Sequence, residues 1–157
     1  MTSSAEQNLA SLGITLPEAP SPAANYVPYV IVGDMVYVSG QVPFVNGGLQ
    51  VTGKVGDTVT IEQAAGEARI CAINLIAQLK AACGGDLSRV VQVVKLGGFV
   101  ACTANFTDQP EVMNGASNLM VEVFGDRGRH ARAAVGMASL PRGQAVEIEL
   151  VVEVYED

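Results

Sequence analysis

An α+β domain is the fold class this sequence predicts, and three observations carry it. At 157 residues the chain is long enough for one domain with a real core. Strand candidates and two amphipathic helical stretches follow one another in the order β-β-α-β-α-β-β. No evenly spaced βαβ repeat occurs, and no G-x-G-x-x-G follows a strand. Together these imply one mainly antiparallel or mixed sheet with two helices packed on one face.

Residues Ser4 to Leu12 read as a short helix, with Ser3 or Ser4 as cap and Gly13 as stop. The Pro- and Ala-rich LPEAPSPAANYVP cannot be regular structure and reads as an ordered arm or linker. Residues 1–18 are thus expected to be an N-terminal helix and arm, and 19–157 the domain proper. YVIV and MVYVSGQVPF are strand candidates separated by the turn signal Gly33-Asp34. VNGGLQVTGKVGD is a glycine-heavy loop or hairpin tip.

From Thr60 the period changes. Ile61, Ala65, Ala68, Ala72, Leu75 and Leu79 recur at spacings of three and four, the mark of an amphipathic helix. Thr58 or Thr60 caps it and Gly84-Gly85 ends it. VVQVVKLGGFVAC is a β-branched strand, with Gly97-Gly98 marking a bulge or a close approach. Pro110 to Phe124 predicts a second helix closed by Gly125, and RHARAAVGMASLP and QAVEIELVVEVYED supply two final strands.

Composition bounds the function. Hydrophobic residues make up 49% and charged residues 16%, with mean hydropathy +0.31, an apolar balance for a soluble monomer. No segment approaches the ~18 uninterrupted apolar residues of a membrane span. The surplus is therefore expected to be buried between subunits, since obligate interfaces resemble a core cut in half. A net charge of −7 and a pI near 4.6 argue against nucleic acid as a partner, because phosphate binding needs clustered Lys and Arg. The start MTSSAEQNLASLG has neither the basic nor the apolar region of a signal peptide. Cys71, Cys83 and Cys102, odd in number and widely spaced, suit a reducing cytoplasm as small buried hydrophobes.

Several chemistries fall away. One histidine, His130, and no C-x-x-C make a zinc site improbable, so no metal is expected. Nucleophilic catalysis needs a base beside the nucleophile. His130 is the one imidazole present, and it reads as a solvated loop residue. GKVGDT lacks P-loop spacing and is a turn.

What remains is Arg132, a guanidinium within a run of small and apolar residues. Unpaired burial would cost several kcal/mol, so it needs a partner. Alternation puts Arg132, Ala134, Gly136 and Ala138 on one face, leaving open volume beside a planar, bidentate cation. One reading is an ion pair with Glu147 or Glu149 on a neighbouring strand; the other is a carboxylate or phosphate ligand. In the last strand Val146, Ile148, Leu150, Val152 and Val154 form a core face, and Glu147, Glu149 and Glu153 lie on the wet one. Were the two strands neighbours, one of these glutamates could position or deprotonate a water.

Taken together, NYVPYVIVGDMVYVSGQVP, with its tyrosine thirteen residues before the serine of S-G-Q, and ARAAVGMASLPRGQAVEIELVVEV resemble the RidA/YjgF family. These are the reactive-intermediate imine deaminases, also called L-PSP endoribonucleases. The similarity runs from about Ala19 to Glu156 and marks a divergent branch. It implies a chorismate-mutase-like α+β domain (bacillus type), a cytoplasmic homotrimer with ligand sites in the clefts between subunits, and no cofactor. Arg132 holds the place of the arginine that grips a substrate carboxylate. Tyr26, Ser39 and Gly40 match pocket positions, Asn114 aligns with a pocket asparagine, and Glu147 matches the glutamate that orients the hydrolytic water. Where deaminases of the family carry cysteine, this chain has Ala134, whose backbone carbonyl can still serve the water.

The resemblance therefore implies hydrolysis of 2-imino or enamine acids to 2-keto acids and ammonia. The imine is already electrophilic, so the protein's work is positioning. The alternative is a non-catalytic trimer that senses or sequesters a small carboxylate metabolite, which the missing cysteine and the added arm favour. Ribonuclease activity, present in the older name, conflicts with the acidic charge.

Overall fold

Thr60 sets the start of the longest helix through a reciprocal cap. Its Oγ1 accepts from the Gln63 amide at 3.1 Å, and its own amide donates to Gln63 Oε1 at 2.9 Å. The helix that follows, α2 (Ile61–Ala82), buries Ala64, Ala68, Cys71, Ala72, Leu75 and Leu79 on one face. Gly84, in the left-handed region at φ +67°, lets the chain leave it. The computed structural model describes residues 4–19 and 24–155. Ser3, residues 20–23 of the arm and the last two residues lie outside that description.

The other elements are α1 (Ala5–Ser11), β1 (Tyr29–Val32), β2 (Met35–Gln41), a two-stranded hairpin β3 (Phe44–Val45) and β4 (Gly48–Leu49), β5 (Val90–Ala101), α3 (Gln109–Phe124), β6 (Ala131–Met137) and β7 (Val146–Val154). Ser4 caps α1 by the same reciprocal pattern as Thr60. Strands β1, β2, β7, β5 and β6 form one sheet in that order. All pairs are antiparallel except β5 with β6, which run parallel. The sheet is mixed because α3 carries the chain from β5 over to β6, so the two strands enter it in the same direction.

Helices α2 and α3 cover one face. Leu75, Ile76 and Leu79 of α2 and Met113, Leu119 and Met120 of α3 are fully buried, as are Leu96, Ile148 and Leu150 of the sheet. Of the two readings of Gly97-Gly98, a bulge or a close approach, the second holds. Register with β7 runs unbroken from Lys95 to Val100 and shifts instead near Val90 and Val93. The glycines serve close approach: a Cβ on Gly97 would meet the Glu149 carboxyl, and one on Gly98 would strike the Met113 thioether.

Among the described residues the opposite face carries no helix. Val30, Tyr37 and Val135 project from it and are 48%, 49% and 43% exposed. Single exposed apolar residues are ordinary, but a row of them across a sheet marks a surface that can be covered. Among the described residues no helix is long and apolar enough to cross a membrane.

One expectation is corrected here. The strand of Arg132 is the sheet edge, and β5 separates it from the strand of Glu147 and Glu149. Leu96 stands opposite Arg132 on one side and opposite Leu150 on the other. An ion pair between Arg132 and either glutamate within the chain is therefore excluded. The two strands adjoin in sequence but not in space, since a parallel partner had already taken the place beside β6.

Candidate ligand-binding site

Arg132 rises from the edge strand on the side that α3 covers. Its Nη1 donates to Asn114 Oδ1 at 2.9 Å and to Ser117 Oγ at 3.1 Å. Asn114 and Ser117 are three residues apart on α3, so they present to the same point of the neighbouring strand. Close contacts fix the helix there. A Cβ on Gly115 would overlap the carbonyl of Ala65 in α2, so only glycine permits this helix–helix distance.

His130 lies two residues before Arg132 and shares its side of the chain. Its Nδ1 is 2.6 Å from the Gly128 carbonyl and its Nε2 is 2.9 Å from Ser117 Oγ. A carbonyl only accepts, so in the neutral ring the proton sits on Nδ1 and Nε2 offers a lone pair to the serine hydroxyl. Gly128 is itself pinned, since a Cβ there would overlap the Met120 carbonyl. His130 is thus a half-buried, doubly bonded residue rather than a solvated loop histidine. The turn Gly125–Gly128 folds back onto α3 and carries the imidazole in with it.

Ser117, Asn118, Val121, Arg129, His130 and Arg132 line an open cleft of about 310 Å³. Both of the Arg132 contacts are neutral oxygens, and among the described residues the guanidinium makes no ion pair. The exposed Arg129 differs: it faces Asp126 at 3.3 Å. Since Nη1 makes both bonds, Nη2 and Nε are left for a guest with two acceptor oxygens.

The remaining sequence-predicted residues gather elsewhere. Glu147 projects from the helix-free face, where its Oε1 accepts from Gln144 Nε2 at 3.0 Å. Its carboxyl fills the space a side chain on Gly40 would need, 3.2 Å from that ideal Cβ. Ser39 Oγ donates to the Val27 carbonyl at 2.7 Å, and its amide donates to the Pro28 carbonyl at 2.9 Å. These bonds tie down the segment bearing Tyr26, which is 53% exposed. Ala134 lies on the Arg132 side of β6, half-buried against the core. The structure brings Arg132, Asn114 and Ala134 together in one group and Glu147, Gly40, Ser39 and Tyr26 in another.

Sequence reasoning missed Ser117 and undervalued His130. The signals were available: Ser117 is one helical turn past Asn114, and His130 shares the alternation of Arg132. It also missed Glu67, a buried acid on α2 whose Oε2 has no hydrogen-bond partner among the described residues. Burial pushes the Glu67 carboxyl above the ordinary range. No three His, Cys, Asp or Glu side chains among the described residues group as metal ligands would.

Comparison with known proteins follows the same line. The family model described as "YjgF/chorismate mutase-like, putative endoribonuclease" matches residues 6–154. Protein TCP17 of Trypanosoma cruzi is 50% identical over 147 residues, covering 93% of this chain and 91% of that protein. A 2-iminobutanoate/2-iminopropanoate deaminase of Dermatophagoides farinae is 33% identical, covering 88% and 93%. The crystal structure of the Agrobacterium tumefaciens protein Atu1372, described as of unknown function, superposes with a TM-score of 0.90 at 52% identity, covering 96% and 92%. A match over nearly the whole length, on a sheet and helices arranged as described, leaves one assignment: the chain belongs to the YjgF/chorismate mutase-like family.

Proposed function

We propose that this protein hydrolyses reactive 2-imino or enamine acids to 2-keto acids and ammonia, in clefts between the subunits of a homotrimer. The observation that carries the reading is Arg132. It is a guanidinium held at one nitrogen by the neutral side chains of Asn114 and Ser117, with no ion pair among the described residues and its other edge toward a cleft. That edge takes the substrate carboxylate bidentately. Glu147, with the backbone carbonyl of Ala134, places a water against the imine carbon, while Tyr26, Ser39 and Gly40 line the pocket.

The split between the two groups fits a shared site. A cleft between copies joins Arg132, Asn114 and Ala134 of one subunit to Glu147, Gly40, Ser39 and Tyr26 of the next. The apolar residues on the helix-free face supply a surface for such an assembly. The deaminase from Dermatophagoides farinae supports the reaction class.

The test is direct. Purified protein is mixed with an amino-acid oxidase that generates the imine, and ammonia and keto acid are followed. Release faster than the spontaneous rate is expected. Saturable binding of a keto acid with no acceleration of hydrolysis would instead identify a carboxylate-binding protein.

A further inference from the structure

We propose that Ser117 and His130 form a nucleophile–base pair in the Arg132 cleft, able to cleave small esters whose acyl group carries a free carboxylate. Nothing in imine hydrolysis calls for this pair, so the inference goes beyond that reading. Three features of the geometry point to it.

The first is the chain of contacts. A nucleophilic serine needs a base within hydrogen-bond reach and a third group that fixes the base. Here Nε2 is 2.9 Å from Ser117 Oγ, and the Gly128 carbonyl holds Nδ1 at 2.6 Å. That carbonyl selects the tautomer whose lone pair faces the hydroxyl.

The second is the cation. Ser117 Oγ also accepts from Arg132 Nη1 at 3.1 Å. The hydroxyl gives its proton toward the imidazole while taking one from a fixed positive charge, and both contacts favour the alkoxide character that develops during attack.

The third is access. Ser117, His130 and Arg132 all line the open cleft of about 310 Å³, a volume suited to a small organic acid. Half-exposed polar groups beside solvent need no such network to be satisfied, because water would serve.

The step balances without any added reagent except water. Ser117 Oγ attacks the ester carbonyl carbon, forming an Oγ–C bond as its proton passes to His130 Nε2. The tetrahedral adduct collapses, the C–O bond to the alcohol breaks, and that oxygen leaves with the proton from Nε2. Water then attacks the acyl-serine with His130 again taking a proton. The Oγ–C bond breaks and the proton returns to Oγ, releasing the acid. The free edge of Arg132 holds the second carboxylate of the acyl group, so a half-ester of a short dicarboxylic acid is the class that fits.

The experiment uses the whole protein with two probes, an alkyl fluorophosphonate and monomethyl succinate, an alkyl half-ester whose own carboxylate does not expel the alcohol. Intact-mass and peptide analysis should find the phosphonyl adduct on Ser117. Monomethyl succinate should be hydrolysed at least about tenfold faster than neutral methyl butyrate, the contribution of one charge-assisted contact. Ser117→Ala should abolish both signals, and His130→Gln should slow labelling by about 10²-fold or more. The exposed Ser88→Ala serves as control and should label like the parent. Absence of an adduct on Ser117, or equal labelling rates in His130→Gln with its fold intact by circular dichroism, would overturn the proposal. Ammonia release from imines by the unlabelled parent protein reads the proposed deaminase separately.

Discussion

Arg132 and Glu147 stand on opposite faces of one sheet. Arg132 bonds to α3 above the edge strand, whereas Glu147 projects from the face that no helix covers, with β5 lying between their strands. No rotamer change within one chain brings the two together, because each is committed by strand alternation. A catalytic site that uses both must draw them from different copies.

Complementation between copies follows. Arg132→Lys and Glu147→Gln chains, each made alone, should keep no more than about a tenth of the parent activity in imine hydrolysis. Co-expressed in equal amounts and assembled at random into the proposed trimer, they should recover roughly a quarter of the parent activity, since one cleft in four combines two intact halves. Ammonia release by the purified mixture measures it. Recovery absent from trimers shown to be mixed would place both residues' roles within one chain, which the geometry forbids, and so would remove Glu147 from the reaction.

Replacing Arg132 by lysine keeps the charge and loses the fork. Lysine offers a point charge on a flexible stem, and it cannot bond Asn114 and Ser117 while presenting two parallel donors to a carboxylate. Turnover per KM should fall by about 10- to 100-fold, the loss of roughly 1.4–3 kcal/mol carried by a charge-assisted bidentate contact. Steady-state kinetics on the imine assay read this. Unchanged kinetics would release the guanidinium from substrate binding.

The fold was largely legible because each element announces itself locally. Thr60 with Gln63 marks a helix start, Gly125 an end, and the alternation of Val146, Ile148 and Leu150 a half-buried strand. Sheet order was not legible, since it depends on contacts far apart in sequence. That is why Glu147 could be imagined beside Arg132. The candidate site was legible only in its charge. Arg132 stands out in an apolar run, but Ser117 looks like any helix serine until the helix is placed over the strand. His130 looked solvated because nothing local tells that Gly128 abuts Met120.

Gly115 should tolerate no side chain. Alanine is the better helix former by about 1 kcal/mol, which favours substitution. Against it stands overlap with the Ala65 carbonyl, a backbone atom that cannot swing away. Forcing two packed helices apart typically costs about 1–3 kcal/mol. The clash should win, so Gly115→Ala should lower the urea midpoint and displace Asn114 and Ser117 from Arg132. A midpoint at or above the parent's would show that the helices can separate freely.

Glu67 predicts a pH dependence of stability whose sign is fixed by burial. Its Oε2 has no hydrogen-bond partner among the described residues, and burial raises its carboxyl pKa in the folded chain. Between the ordinary carboxyl range and that raised value, the folded state binds more protons than the unfolded state does. Stability therefore falls as pH rises through this window. Cys71, four residues on and fully buried, faces the same charge, which pushes its thiol further up. Nearby Glu147 adds to that field. Glu67→Gln keeps the shape and removes the titration. The parent and the variant should have urea midpoints that differ least at acid pH, with the variant gaining relative to the parent toward neutrality. A parent that instead gained on the variant as pH rose would mean that the Glu67 carboxylate has a cationic partner when the chain is folded.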